Sequence, residues 1–228
     1  MQIIPLKGSG VTHYLVLRHD GIDLIDSGFL GGVKRIRKAL AVEGHALSDI
    51  RNLYLTHGHL DHTFNASRLK KVSGCKVHAP FADRAHLEGK HPYQGWSRGA
   101  GILEWMGRAA FRYQAVKVDH WFEPGEILGD YEVIGLPGHT DGHCGILHRD
   151  EGNFFVGDLF CNHLGKPAFP PRIFNDDHQE AKQSVRKAAG IDVKAVFPNH
   201  TATQSPNENL ADLHRLAQTV TPRDQSHE

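Results

Sequence analysis

Between Leu55 and His62 the chain reads Leu-Thr-His-Gly-His-Leu-Asp-His, so the imidazoles of His57, His59 and His62 and the carboxylate of Asp61 fall within six residues. His57 and His59 are two apart, and in extended backbone alternate residues face the same side. Asp61 and His62 follow where a helix should begin, and from there they can turn back on the same point. Nitrogen and oxygen donors crowded in this way suit a borderline divalent cation such as zinc, and can also hold iron or manganese. Histidine is abundant here, 18 of 228 residues, so an accidental run is the competing reading. The stretch therefore needs support from elsewhere in the chain.

Three later segments supply it. Leu136-Pro137-Gly138-His139, Phe155-Val156-Gly157-Asp158 and Phe197-Pro198-Asn199-His200 each run from apolar residues through a turn former to a metal-competent side chain. Taken singly, each donor reads best as a satisfied turn residue. Three of them beside the histidine stretch point to a site, because rigid strand ends hold side chains at defined positions. Asp26, in Asp26-Ser27-Gly28, also closes an apolar run, either as a turn former or as support behind a ligand.

The positioning elements follow from periodicity. Val11–Val16 and Ile22–Asp26 read as strands joined by a hairpin at His19-Asp20-Gly21. Residues 31–44 carry Val33, Ile36 and Leu40 at helical spacing, with Lys34, Arg35, Arg37 and Lys38 on a solvated face. Residues 51–56 read as the strand feeding the histidines, 64–72 as the helix after them, and 76–79 as a short strand stopped by Pro80. Strands are then expected at 116–118, 131–136, 145–148, 153–156 and 193–197, with helices over 177–189 and 208–220. Between them, segment 81–117 is rich in aromatics and holds two helical pieces; it reads either as a packing unit or as a helical cap that walls a substrate pocket. This order predicts one domain over residues 1–228, two sheets with helices outside, and neither repeat nor linker.

Composition narrows the classes. Hydrophobic content of 39% and charged content of 23% are those of an ordinary globular protein. Twenty-six basic residues balance 26 acidic ones, so no overall field attracts nucleic acid or an anionic membrane. The first residues lack the pattern of a secretory leader, and no apolar run approaches the roughly 18 residues of a spanning helix. Cys75, Cys144 and Cys161 are odd in number and widely spaced, which fits reduced core thiols. The expectation is a soluble, cytoplasmic protein acting on a small molecule. Oligomeric state is left open, a homodimer included.

Together these segments resemble the metallo-beta-lactamase superfamily over nearly the whole chain. Asp26-Ser27-Gly28, His57 to His62, Gly138-His139, Gly157-Asp158 and Asn199-His200 stand where that family carries its signature residues. The resemblance implies an α/β (α+β) fold, an αββα sandwich of two mixed β-sheets with helices on the outer faces. It implies two divalent metal ions, zinc foremost. His57, His59 and His139 would hold one, Asp61, His62 and His200 the other, and Asp158 would bridge them. Asn199 departs from the family's Gly, but Asn also tolerates unusual backbone, so His200 keeps its place. The implied chemistry is hydrolysis of a small ester, thioester or lactone by a metal-bridging hydroxide. Asp61 would serve as ligand and proton partner, and Asp26 would orient a ligating imidazole from behind.

Within the family, Asp158 stands where zinc beta-lactamases carry Cys or Ser, and His59 stands where flavodiiron oxidoreductases carry Glu. The run from Gly157 to Lys166 resembles a glyoxalase II stretch that ends in a glutathione-contacting lysine, though it is one residue short and has Ala168 where Tyr is expected. Lys166 is thus a candidate substrate contact, with His163, Tyr93 and Trp96 as weaker ones. The alternatives are a phosphodiesterase, disfavoured by zero net charge, and a mononuclear iron persulfide dioxygenase using the first metal site alone. A metal-binding module without catalysis is disfavoured by the retention of all seven donors.

Overall fold

Leu15 and Val16 are adjacent and fully buried, and as strand neighbours they face opposite ways, so packing must cover that strand on both sides. The same pattern recurs along the chain and generates a four-layer architecture. The computed structural model describes residues 1–90, 93, 97–163, 166–201 and 205–221. The first sheet takes its strands in chain order: β1 (Gln2–Gly8), β2 (Val11–Arg18), β3 (Gly21–Ile25), β4 (Ile50–Tyr54), β5 (Lys76–Pro80) and β6 (His120–Phe122). Its first three strands are antiparallel and β3 to β6 run parallel. The second sheet holds β7 (Ile127–Leu128), β8 (Tyr131–Gly135), β9 (Cys144–His148), β10 (Asn153–His163), β11 (Lys166–Ala168) and β12 (Ala195–Thr201). Its order is β11-β10-β9-β8-β7, with β12 parallel to β10.

Seven α-helices are described: α1 (Gly32–Val42), α2 (Leu60–Thr63), α3 (Ala66–Ser73), α4 (Arg84–Leu87), α5 (Ser97–Ala110), α6 (His178–Ala189) and α7 (Pro206–Gln218). Three apolar clusters mark the interfaces. Leu15, Leu24 and Leu53 pack beneath Val33, Ile36 and Leu40 of α1 and Leu69 of α3. Tyr14, Val16, Ile25 and Tyr54 meet Val133, Ile146, Phe155 and Phe197 between the sheets. Phe154, Val156 and Val196 pack against Val185 of α6 and Leu213 and Leu216 of α7. Each such side chain contributes about 1.5–3 kcal/mol by leaving water. This is the αββα sandwich of two mixed sheets. Among the described residues, no helix is long and apolar enough to cross a membrane.

Several local outcomes differ from the sequence reading. β1 carries no clear alternation and buries only Leu6, so it is an edge strand set by its hairpin with β2. Residues 116–118 form no ladder; Val116 and Val118 add to the first cluster, and the strand there is β6. β11 was not anticipated and forms a hairpin with the far end of β10. Most consequentially, Asp158 and His200 do not follow strand ends. They lie inside β10 and β12, where the ladder between these strands shifts register on both sides of Gly157. Gly157 has φ 55°, and a Cβ there would sit 2.6 Å from His143 Nε2, so only glycine allows the kink that turns Asp158 inward.

Candidate metal centre

β3 and β4 are parallel neighbours, so their C-terminal ends emerge side by side, and the chemistry begins there. Asp26 leaves β3 with φ 58°, a left-handed conformation that Asp tolerates better than most residues. Its fully buried carboxylate accepts from the Thr56 amide (2.8 Å), the Thr56 hydroxyl (2.8 Å), His62 Nδ1 (3.0 Å) and Asn199 Nδ2 (2.6 Å). A strained carboxylate therefore ties the loop after β4 to β12, from the far end of the chain.

Hydrogen bonding sets the tautomers. The Thr56 hydroxyl spends its proton on Asp26 and so accepts from His57 Nδ1 at 3.0 Å. His62 Nδ1 donates to Asp26, His139 Nδ1 to Asn175 Oδ1 (2.8 Å), and His200 Nδ1 to the Gly10 carbonyl (2.8 Å). With each Nδ1 occupied from behind, the lone pair of each neutral ring lies on Nε2, which faces the centre. His143 does the same work for the carboxylate: its Nδ1 donates to the Leu136 carbonyl (2.8 Å), and its Nε2 accepts from the Asp158 amide (3.1 Å).

The donors converge. His57, His59 and His139 form one group and Asp61, His62 and His200 another, with ligand atoms in each within 4.8 Å of one another. Asp158 lies between them. Its Oδ2 is 3.4 Å from His139 Nε2 and 3.1 Å from His200 Nε2, and its Oδ1 is 3.3 Å from His62 Nε2. The Nε2 atoms of His57, His62 and His139 and Oδ1 of Asp158 are buried without a hydrogen-bond partner. Burying such groups unsatisfied costs about 1–3 kcal/mol each. Divalent cations shared among them would satisfy all of them at once, so this donor set fits metal ions.

The electrostatics carry the same mark. Burial pushes the His57 and His59 imidazoles well below their ordinary value, reinforced by His62 and His139 respectively. Burial opposes the proton on His62 too, but Asp158, Asp61 and Asp26 overcome it and raise this ring well above the usual range. His200 is pushed up to about 11 against its burial, chiefly by Asp158. Asp158 itself is held well below the usual carboxylate range because His200 and His62 outweigh its desolvation. The second triad thus concentrates negative potential on two imidazole nitrogens, where proton and cation compete.

Several positioning residues escaped the sequence reading. Asp83, buried after β5, accepts from the Gly58 amide (2.7 Å), the Thr140 hydroxyl (2.7 Å) and the Gly142 amide (2.8 Å), clamping the two histidine loops together. Burial raises this carboxyl to about 6 against those three hydrogen bonds. Glu104 of α5 accepts from the Leu60 amide (3.0 Å), and Arg108 donates to the Gly58 carbonyl (2.8 Å). Asn199 acts through its side chain on Asp26, and it is not among the described residues with positive φ, so backbone tolerance is not the reason for Asn there. A clue was available only at Thr56 and Asn199, which adjoin ligand histidines; Asp83, His143 and Asn175 lie in unremarkable surroundings.

From the donors a cavity of about 630 Å³ opens beneath α5 and β11. Tyr93 lines it, stacked on His59 with ring centroids 5.8 Å apart. A Cβ on Gly101 would lie 2.2 Å from the Tyr93 ring, so glycine at that helix position lets the ring settle. Lys166 is exposed on β11 and is not among the residues that line the cavity, whereas Ala168 is. Trp96 and the side chain of His163 lie outside the described residues. Cys161 lines the cavity and is only partly buried, unlike the core thiols Cys75 and Cys144.

The chain is 31% identical over 144 residues to a hydroxyacylglutathione hydrolase of Haemophilus influenzae, a match covering 60% of this chain and 61% of that protein. It is 25% identical over 183 residues to a hydroxyacylglutathione hydrolase of Ectopseudomonas mendocina, covering 79% of this chain and 56% of that one. It thus spans less than two thirds of the length of both relatives. Its fold matches a metallo-beta-lactamase family protein of Thermus thermophilus with a TM-score of 0.72 at 16% identity, over 95% of this chain and 78% of that one. The model of the metallo-beta-lactamase superfamily matches residues 6–200, and the chain belongs to that superfamily.

Proposed function

We propose that this protein is a metal-dependent hydrolase that cleaves a small ester, thioester or lactone, with two divalent cations, zinc foremost, held by His57, His59 and His139 and by Asp61, His62 and His200, and with Asp158 shared. The observation that carries this reading is the convergence of two donor triads on one carboxylate, with Nε2 atoms left buried and unpaired. The relatives named hydroxyacylglutathione hydrolase support the thioester within that range. Membership of the superfamily supports hydrolysis in general.

Cations bound there would acidify a shared water and polarise the substrate carbonyl. The remaining work falls to the chain. Thr56, Asp26, Asn175 and the Gly10 carbonyl hold the imidazoles so that no reorganisation is needed when charge develops. Asp61 lines the cavity, and although burial opposes it, His62 and His200 keep its carboxylate ionised, so it can accept a hydrogen bond from the attacking water and orient it.

The test is metal analysis paired with turnover. Two zinc ions per chain together with hydrolysis of an ester and thioester panel support the reading. One iron per chain with oxygen uptake on a persulfide substrate would replace it with the dioxygenase alternative. Phosphodiester cleavage is disfavoured by the cavity, where no lysine or arginine is among the described lining residues.

A further inference from the structure

The cavity beside the donors has a composition of its own. Phe29, Leu60, Leu103, Phe111, Phe160 and Phe174 are among the apolar residues that line it. The aspartate and glutamate side chains that line it are Asp61, Asp158 and Glu104, and among the described residues no lysine or arginine does. Glu104 is neutralised by Arg108, whose Nε and Nη2 donate to it at 2.9 and 2.7 Å, and it also accepts from the Leu60 amide, so it offers an incoming group no free charge. At the rim, Leu103 is 71% exposed and Phe111 and Phe174 are each 44% exposed, so an apolar surface continues outward from the pocket. An alkyl or aryl group entering the cavity would gain by burial, whereas a carboxylate carried along the wall away from the metal donors would lose its water shell and, among the described lining residues, meet no lysine or arginine.

We propose that the substrate carries an extended, uncharged apolar group that fills this cavity, and that the site discriminates against anionic thioesters of the glutathione type. The inference rests on the ester or thioester hydrolase reading and narrows it. It also fits Lys166, the candidate contact for an anionic substrate, which stands exposed and off the cavity wall. Six methylenes add about 160 Å³ at roughly 27 Å³ each, so an octanoyl group is well within the volume of a pocket that accepts a drug-sized ligand.

The experiment uses the zinc-loaded protein and two neutral series: acyl thioesters of N-acetylcysteamine from acetyl to octanoyl, and acetyl thioesters of alkyl thiols of rising length. S-Lactoylglutathione is the anionic comparator. In at least one series kcat/KM is expected to rise about threefold to fourfold per methylene while the chain lengthens within the cavity, the factor set by burying a CH₂. The best neutral substrate should exceed S-lactoylglutathione. Gly107→Leu, whose Cβ would approach Leu60 at 3.4 Å and Phe111 at 3.9 Å, should lower the ratio of long-chain to short-chain rates. Leu103→Glu, a rim substitution that leaves the core untouched, should lower it as well. A flat response in both series, or a preference for S-lactoylglutathione, overturns the inference and leaves the hydrolase reading standing. If nothing is turned over, the hydrolase reading fails, and binding decides the cavity: tighter calorimetric binding of the octyl thioether of N-acetylcysteamine than of S-methylglutathione supports the inference, and equal or weaker binding overturns it.

Discussion

An imidazole makes a well-oriented metal ligand when its other nitrogen is engaged, and His57, His62, His139 and His200 are each engaged at Nδ1 by an oxygen. Asn175 is the partner whose loss is easiest to read, because it touches His139 without belonging to a core cluster. Asn175→Ala is expected to weaken metal binding about 10–100-fold while the circular dichroism spectrum stays unchanged, measured by competition with a chromogenic chelator. Acid should act on the same atoms. His62 and His200 have raised proton affinities, so protonation gains on metal at these rings as pH falls. Metal content after dialysis at stepwise lower pH should therefore decline, and should recover on return to neutral pH with added zinc.

The loops that carry the histidines are held by neighbours that bear no ligand. Asp83 follows β5 yet closes the gap between Gly58 on one loop and Thr140 and Gly142 on the other. Asp83→Ala would leave the buried Gly58 amide and the half-buried Gly142 amide without an acceptor, and at about 1–3 kcal/mol for each the variant should lose roughly 2–6 kcal/mol in urea unfolding. α5 fastens the other side of the histidine loop through Glu104 and Arg108, and lends Ala100, Leu103 and Gly107 to the cavity wall. Gly101→Ala would drive a methyl into the Tyr93 ring. Overpacking of this kind costs about 1–3 kcal/mol, so a lower melting temperature is expected, together with an altered KM as the ring that stacks on His59 shifts.

The candidate metal donors come from both sheets, so metal binding and folding would be coupled through the sandwich. His57 to His62 follow β4 of the first sheet, while Asp158 and His200 lie in β10 and β12 of the second. Cations held by donors from both would stabilise the folded chain by mass action, by about 4 kcal/mol when free metal exceeds its dissociation constant a thousandfold. Chelation should accordingly lower the melting temperature, and readdition of zinc should restore it. The aromatic layer between the sheets holds the same halves from within, with Tyr14, Phe155 and Phe197 packed ring to ring at 4.9–5.6 Å. Phe155→Ala should cost about 3–5 kcal/mol of stability, read by urea unfolding of the metal-free protein.

Local chemistry made much of this legible. The run from His57 to His62, and the donors His139, Asp158 and His200, could be picked out because ligand types and turn formers are properties of short segments. The layered sheets could be anticipated because strands buried on both faces must be apolar at successive positions, as Phe154 to Val156 are. What the polypeptide alone withheld was register and partnership. That Asp158 and His200 sit inside strands depends on a ladder shift between β10 and β12, two segments distant in the chain. That Asp83, Asn175 and Asn199 serve the site depends on which loops pack against them, and no neighbour in sequence advertises it. Hydrogen bonds across many tens of residues are assigned only when the sheets close, and it is their closure that turned a scatter of histidines into a preorganised centre.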